Sequence, residues 1–346
     1  MPVFCVFEGR ELQCGLSNYE KVIECLEKAV EFNPYFAEAY NEMGVVYGQK
    51  GNYDKAIKSY KKAIELKPDF TEAHYNMGYE YGKKGNYDKA IECFEKVVEL
   101  KPNSAEFYTN LGVTYGEKGN HDKAIKCFEK AVELKPDFAE AHYLIGSTYY
   151  EKGNYDKAIK YYEKAIEIKP DYSEAYYNKG YSLQNNGNYN KAIECYEKVI
   201  EINPNFVQAY RNIGFMYQHI LGNNDEAIKY YEKAVELNPN FANIYHNLGV
   251  VYHTKGNYDK AIEYYKKAIE LKPESAETYC NMGFSYQDKG NYNKAIECLE
   301  KAVELIAQCA WCGGPVRGRG MGTIWLGSNR TYCSPKCKSE AEAAGR

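Results

Sequence analysis

The residues with the plainest chemical capacity stand at the C-terminal end. Cys309 and Cys312 form one pair and Cys333 and Cys337 another, with twenty residues between the pairs. Two pairs of soft ligands at knuckle spacing suit tetrahedral Zn²⁺. Four thiolates leave no open coordination position, so the expected Zn²⁺ is structural rather than catalytic. Arg317, Arg319 and Arg330 would form a basic rim beside it. Elsewhere no nucleophile–base set, nucleotide loop or open metal site stands out. Gly318, Gly320 and Gly322 make a lone G-x-G-x-G outside any strand–helix context, which is a weak phosphate signal.

Local signals around these cysteines read as a small module. Thr323, Ile324, Trp325 and Leu326 read as one strand of a hairpin between Gly-rich turns. Ser334 and Pro335 read as the N-cap and first residue of a helix through Ala344, with Cys337 in its first turn. Composition changes after Leu305: both tryptophans and four of the six arginines lie beyond it. The module is similar to treble-clef and zinc-ribbon knuckles, and its Tyr-Cys-Ser half resembles MYND-type fingers and small bacterial gyrase-inhibitor zinc proteins. The abrupt change is equally compatible with a fusion.

The remainder of the chain repeats. Ala37–Pro68, AEAYNEMGVVYGQKGNYDKAIKSYKKAIELKP, returns lightly edited, closed by Pro34, Pro68, Pro102, Pro136, Pro170, Pro204, Pro239 and Pro273. The spacing is 34 residues with a single 35, and a fixed period in this range means stacked supersecondary units. Eight copies cover 37–70, 71–104, 105–138, 139–172, 173–206, 207–241, 242–275 and 276–309, after a degraded one over 1–36.

Each copy holds two helical patterns that meet at Gly-Asn. Tyr40, Met43, Gly44 and Tyr47 form an i, i+3, i+4, i+7 stripe. Gly51 ends that helix, Asn52 caps the next through its side-chain oxygen, and Asp54 sits at the positive end. Ala56, Ile57, Tyr60, Ala63 and Ile64 supply the second helix's buried face, and Pro68 stops it. Gly44 and Ala56 are expected to be small because two backbones approach there. Cys25, Cys93, Cys127, Cys195 and Cys298 share one repeat position. Packed helix axes lie ~8–10 Å apart and a disulfide needs Cα atoms within about 7 Å, so these read as packing residues.

At these residues the chain resembles the tetratricopeptide repeat (TPR) family. Counting from Ala139, the family's pattern falls on His142, Ile145, Gly146, Tyr149, Ala158, Tyr162, Ala165 and Pro170. The resemblance covers 37–309 and implies antiparallel helix pairs in a right-handed α-solenoid with a concave groove, binding protein or peptide. In 1–36, Gly9 and Arg10 depart from the pattern. Val3, Phe4, Val6 and Phe7 cover the end of the stack, or the true N-terminus is missing. Lys179 replaces an apolar residue and marks a soft spot, its stem lying along apolar surface. The extra residue, in the turn from His219 to Asn223, is either a tolerated insertion or a kink that shapes the groove.

The resemblance puts positions 2, 5, 6, 9, 12 and 13 of each copy on the concave wall. Position 6 holds Asn76, Asn110, Asn178, Asn212, Asn247 and Asn281, with Glu42 and Leu144 as the departures. An amide offers both donor and acceptor, which matches an extended peptide backbone. The line resembles the asparagine ladder of the TPR superhelix in O-GlcNAc transferase. Repeat duplication would carry the same residue, so a structural reading stays open. Positions 5, 9 and 12 add Tyr75, Tyr79, Tyr143, Tyr150, Tyr177, Tyr181, Phe215 and Phe284, broad contact surface at low entropy cost. Position 2 is mostly Glu and Arg211 is the lone basic candidate, so basic or neutral segments are favoured over acidic ones. His246 and His253 stand ~10.5 Å apart along one helix, too far for one metal ion, and read as polar groove residues.

Charge is divided: of the formal −4, the tail from Ala307 contributes +4 and the rest −8. An acidic solenoid does not suit a nucleic-acid backbone, which leaves only the tail for such contact. No signal peptide or apolar run of about 20 residues is present, and twelve cysteines without an export signal point to a reducing, cytoplasmic compartment. The expected protein is a non-catalytic, all-α scaffold with a degenerate repeat over 1–36, a solenoid over 37–306 and a zinc tail over 307–346. Its expected ligand is an extended protein or peptide segment. The other readings are the substrate-recruiting part of a glycosyltransferase system and a regulator touching nucleic acid through the tail. Oligomeric state is not specified.

Overall fold

The computed structural model describes residues 16–310, with side chains described over 19–306. The chain divides into two compact units, Met1–Asn186 and Gly187–Arg346. The first holds α1 (Leu16–Phe32), α2 (Ala37–Gln49), α3 (Tyr53–Leu66), α4 (Thr71–Lys83), α5 (Tyr87–Leu100), α6 (Ala105–Glu117), α7 (His121–Leu134), α8 (Ala139–Glu151), α9 (Tyr155–Ile168) and α10 (Ser173–Asn185). The second holds α11 (Tyr189–Ile202), α12 (Val207–His219), α13 (Asn224–Leu237), α14 (Ala242–Thr254), α15 (Tyr258–Leu271), α16 (Ala276–Asp288) and α17 (Tyr292–Ala310). Every described element is an α-helix. The division falls inside copy 173–206, which also carries Lys179. The expected hairpin strand and tail helix lie outside the described residues.

The Gly-Asn junction works as its chemistry demands. Gly51 takes φ +74°, where a side chain would be strained, and ends α2. The Asn52 side chain then accepts the Lys55 backbone N–H at 3.3 Å and starts α3. Asn86, Asn120, Asn154, Asn223 and Asn257 cap their helices in the same way. The extra residue of copy 207–241 is absorbed by the turn. Ile220 and Leu221 both donate to the Met216 carbonyl, Gly222 takes φ +64°, and Asn223 still caps α13.

Most pairs close on one aromatic ring, while at the last the ring is replaced by Leu299 against Gly283. A Cβ on Gly112 would stand 2.5 Å from Phe128 Cε1, and Tyr60, Tyr162, Tyr231 and Tyr265 lie against Gly44, Gly146, Gly214 and Gly249 in the same manner. At Gly44 the nearest atoms belong to the Tyr60 ring, and at the equivalent Gly146 a Cβ would also stand 3.2 Å from the Ala158 backbone carbonyl, so the small residue admits a ring beside a close backbone. A ring packed on a bare helix buries far more apolar area than a methyl would, which is the stronger driving term. Ala56, Ala90, Ala124 and Ala158 are fully buried at the other side of the pair. Lys179 finds a partner that the sequence reading missed: its ammonium pairs with Glu163 at 2.9 Å.

In the first unit α2 touches α4, α6 touches α8 and α8 touches α10, and in the second α14 touches α16. First helices of adjacent repeats thus meet and form the inner wall of each unit. At the edges, Lys84 reaches Asp54 and Lys152 reaches Asp122, each at 2.5 Å, and Lys118, Lys255 and Lys289 reach Asp88, Asp225 and Asp259. Solvent screens these exposed pairs, so each adds little to stability. The outer face of α17 stays open among the described residues. Ile296 is 54 % exposed, whereas its counterparts Ile57, Ile91, Ile125 and Ile262 are buried.

Candidate functional site

The inner wall of the first unit carries Asn76, Asn110 and Asn178 on α4, α6 and α10. Each amide donates to the residue 35 positions earlier, at position 5 of the preceding copy. Asn76 Nδ2 donates to Asn41 Oδ1 at 3.2 Å, Asn110 Nδ2 to the Tyr75 hydroxyl at 3.4 Å, and Asn178 Nδ2 to the Tyr143 hydroxyl at 2.8 Å. Asn110 also donates to the Glu106 carbonyl at 3.0 Å. The donor side of the ladder thus ties adjacent repeats together. The acceptor side, the three Oδ1 atoms, has no intramolecular donor in the described unit. A carbonyl oxygen on a partly buried wall is a ready acceptor for an incoming backbone N–H.

Tyrosines flank this line. Tyr75 packs edge-on to Phe94 and tilted on Phe107, each at 5.7 Å between centroids, and burial raises its hydroxyl pKa. Tyr143 lies 5.1 Å from Tyr172 and 5.8 Å from Tyr162, and burial raises its pKa too. Tyr177 stacks on Tyr181 at 6.4 Å, and Tyr150 lies 5.6 Å from Tyr181. Asn185, which the sequence reading did not single out, donates to the Tyr150 hydroxyl at 3.1 Å. Tyr79 is the most open of the set at 54 % exposed. The first unit therefore presents amide acceptors interleaved with half-buried phenol rings.

The second unit differs. Asn212 is buried, and its Oδ1 already accepts the Arg211 guanidinium at 3.3 and 3.0 Å. Arg211 is thereby engaged beside the ladder rather than standing apart as a basic anchor. Asn247 Nδ2 donates to the Tyr231 hydroxyl at 3.4 Å, a ring of its own unit's core. Asn281 lies half-buried on α16, and Phe215 packs on His219 at 4.5 Å.

His246 and His253 join repeats more than they face a groove. His246 Nδ1 meets Thr278 Oγ1 at 3.0 Å with Glu277 3.7 Å from Nε2. His253 Nδ1 meets Ser285 Oγ at 2.9 Å with Asp288 3.6 Å from Nε2. The last trio has the residue types of a hydrolytic triad but not its wiring. Ser285 is fully buried and gives its proton to the Asn281 carbonyl at 3.0 Å, so the imidazole Nδ1 must donate to it. A general base needs the opposite polarity and an accessible oxygen.

Among the described residues no group of three or more His, Cys, Asp or Glu is placed to hold a metal ion, and no helix is long and apolar enough to cross a membrane. Cys312, Cys333 and Cys337 lie outside the described residues, as does the side chain of Cys309, whose backbone ends in the last turn of α17. Cys93 and Cys195 are buried and Cys127 is half-buried, in keeping with packing; Cys25 is the exposed exception. Burial pushes the Cys93 thiol up to about 12 and Cys127 up to about 11, which suppresses thiolate chemistry.

Family models for the tetratricopeptide repeat match residues 19–58, 47–85, 71–104, 109–173, 173–206, 205–274 and 276–308. Among solved structures, the C-terminal part of a TPR repeat-containing protein from Cytophaga hutchinsonii is similar with a TM-score of 0.60 at 22 % identity, covering 70 % of this chain and 98 % of that one. MamA is 38 % identical over 48 % of this chain and 97 % of its own, with a TM-score of 0.45. YrrB, described as a TPR protein with an unusual peptide-binding site, is 27 % identical over 54 % of this chain and 96 % of its own, with a TM-score of 0.45. No curated protein matches the chain.

Proposed function

The chain belongs to the tetratricopeptide repeat family, and on that premise we propose that it is a non-catalytic scaffold binding an extended peptide or protein segment along its inner helix wall. The observation that carries this reading is the half-used ladder of the first unit. Asn76, Asn110 and Asn178 spend a donor on the neighbouring repeat and keep an acceptor for a ligand. Backbone contacts of this kind tolerate many sequences, and the flanking Tyr75, Tyr79, Tyr143, Tyr177 and Tyr181 add apolar contact area. In the second unit Asn212, Arg211 and Phe215 would act through shape rather than through a free amide, and Asn247 and Asn281 continue the line. A cysteine-rich chain whose thiols, among the described residues, are mostly packed inside fits a reducing, cytoplasmic setting. Cys309, Cys312, Cys333 and Cys337 would hold a structural Zn²⁺, a reading that rests on their spacing.

The test is a comparison of the full chain with the Asn76→Ala/Asn110→Ala/Asn178→Ala variant against a cellulose-bound array of extended peptides. Peptides held by the wild type and lost by a variant of unchanged helicity support the wall as the binding site. Equal retention by both proteins defeats it and leaves the asparagines as inter-repeat ties.

A further inference from the structure

One carboxylate in the first unit has no structural explanation. Glu80 stands at position 10 of its copy, where the other copies carry Val46, Thr114, Thr148, Ser182, Met216, Val251 and Ser285. It is only 5 % exposed, and its Oε2 is buried without a hydrogen-bond partner. The carboxylate turns its Oε1 toward the bare Cα of Gly48, where a Cβ would stand 2.5 Å from that oxygen. It therefore occupies the space that the missing side chain opens on the inner wall. A buried, underused carboxylate is costly unless something cationic meets it.

The surroundings are acidic and aromatic. Glu80, Glu42 and Glu72 all act on the Tyr60 hydroxyl, whose pKa rises first through burial and then through these charges. Desolvation, with help from Glu72, also raises the Glu42 carboxyl. One lysine approaches Glu80. Lys83 Nζ lies 3.7 Å from Glu80 Oε1, 4.4 Å from the centre of the Tyr79 ring and 5.7 Å from that of Tyr53. Neighbouring lysines are engaged elsewhere: Lys67 on Glu38, Lys84 on Asp54 and Lys55 over Tyr47. Lys83 is a half-exposed, flexible side chain resting in a cage made of two phenol faces and an acid. It marks where an ammonium fits and leaves Glu80 Oε2 without a donor.

We propose that Glu80, Tyr79 and Tyr53 form a pocket on the inner wall that takes a lysine or arginine side chain of the bound segment, with Lys83 as the internal cation that yields it. This inference rests on the peptide-binding reading of the wall and adds the chemistry that the amide ladder lacks. Backbone acceptors fix an extended chain; the cage selects one cationic side chain along it. Ring faces attract a cation through their quadrupole, and the buried carboxylate adds a charge-assisted partner.

The experiment uses the full chain and a fluorescein-labelled Gly-Ser-Lys repeat peptide, with a Gly-Ser-Glu repeat as its counterpart, read by anisotropy at low and high salt. The wild type should prefer the lysine peptide. Lys83→Ala should tighten it by about threefold or more, because the resident cation no longer competes. Glu80→Gln, nearly isosteric, should weaken it by at least about tenfold and flatten the salt dependence. Equal affinity in Glu80→Gln and wild type, weaker binding in Lys83→Ala, or no preference for lysine over glutamate would each overturn the proposal. If Glu80→Gln loses its helical signal, Tyr79→Ala at the exposed ring replaces it, with a loss of about threefold expected and unchanged affinity overturning the pocket. Loss of binding in Asn110→Ala/Asn178→Ala with Glu80→Gln unaffected would remove the pocket and leave the wall. Loss in Glu80→Gln with the asparagine variant unaffected would support the pocket and remove the ladder.

Discussion

Asn110 shows what a single side chain is asked to do. Its amide holds Tyr75 of the preceding copy and the Glu106 carbonyl through its two N–H donors, and only Oδ1 faces outward unpaired. Asn110→Ala should therefore cost about 1 kcal/mol of stability in addition to any loss of ligand, the usual worth of such a bond. A urea midpoint that does not move would mean that the amide is not tying the repeats. His142 makes a second residue-scale case. Its Nε2 donates to the Pro136 carbonyl at 3.3 Å, which leaves Nδ1 bare, buried and without a partner. Burial accordingly lowers its pKa below that of a free imidazole. The unfolded chain takes up this proton first as pH falls, so stability present above about pH 6.5 is lost on acidification towards the folded-state value. His142→Tyr, the residue of copies 105–138 and 173–206, should lose less stability than wild type between neutral and mildly acid pH. Parallel urea titrations at the two pH values check this, and identical losses would contradict it. Both residues were visible in the sequence, but their partners were not: the Tyr75 hydroxyl is 35 residues away, and the tautomer follows from one carbonyl.

At the scale of the helix, glycine has two opposite meanings on the same element. Gly112 faces the Phe128 ring, and Gly116, one turn later on α6, has nothing within 4 Å of where a Cβ would be. Gly44→Leu or Gly112→Leu should cost on the order of 1–3 kcal/mol by overpacking. Gly116→Ala should add roughly 0.5–1 kcal/mol through helix propensity. Thermal melts of the two classes should move in opposite directions, and a shared direction would show that the ring contact is not limiting. Caps give a third measurement at this scale. Asn120 accepts the Lys123 N–H at 3.2 Å, and Asn120→Ala should cost about 1 kcal/mol. Helix limits, caps and the Gly-Asn turn were legible because each depends on residues within four positions of one another. The Lys84–Asp54 type of tie was not, since it joins residues 30 apart on separate helices.

Above the element, the chain divides into two compact units, and within each the copies stack on their neighbours. The proposed zinc tail belongs to this scale because its four cysteines would bind metal apart from the repeats. Mass spectrometry under native conditions should find one Zn²⁺ per chain, lost in Cys333→Ser/Cys337→Ser; a metal-free wild type would remove the zinc reading. What the sequence alone determined is the repeat: its period, its two helices, its caps, and the alanines and aromatic rings that face inward. These follow from spacing within one copy, and eight copies state them over and over. The tertiary structure alone decided which groups are used up and which are left. It put the Tyr60 ring under Gly44, turned His246 and His253 into joints, closed Asn212 on Arg211, and buried Glu80 beside Gly48 with an oxygen to spare. The reason is geometric. A repeat pattern specifies each copy in itself, whereas the capacity to bind depends on side chains from different copies that only stacking brings within hydrogen-bond reach.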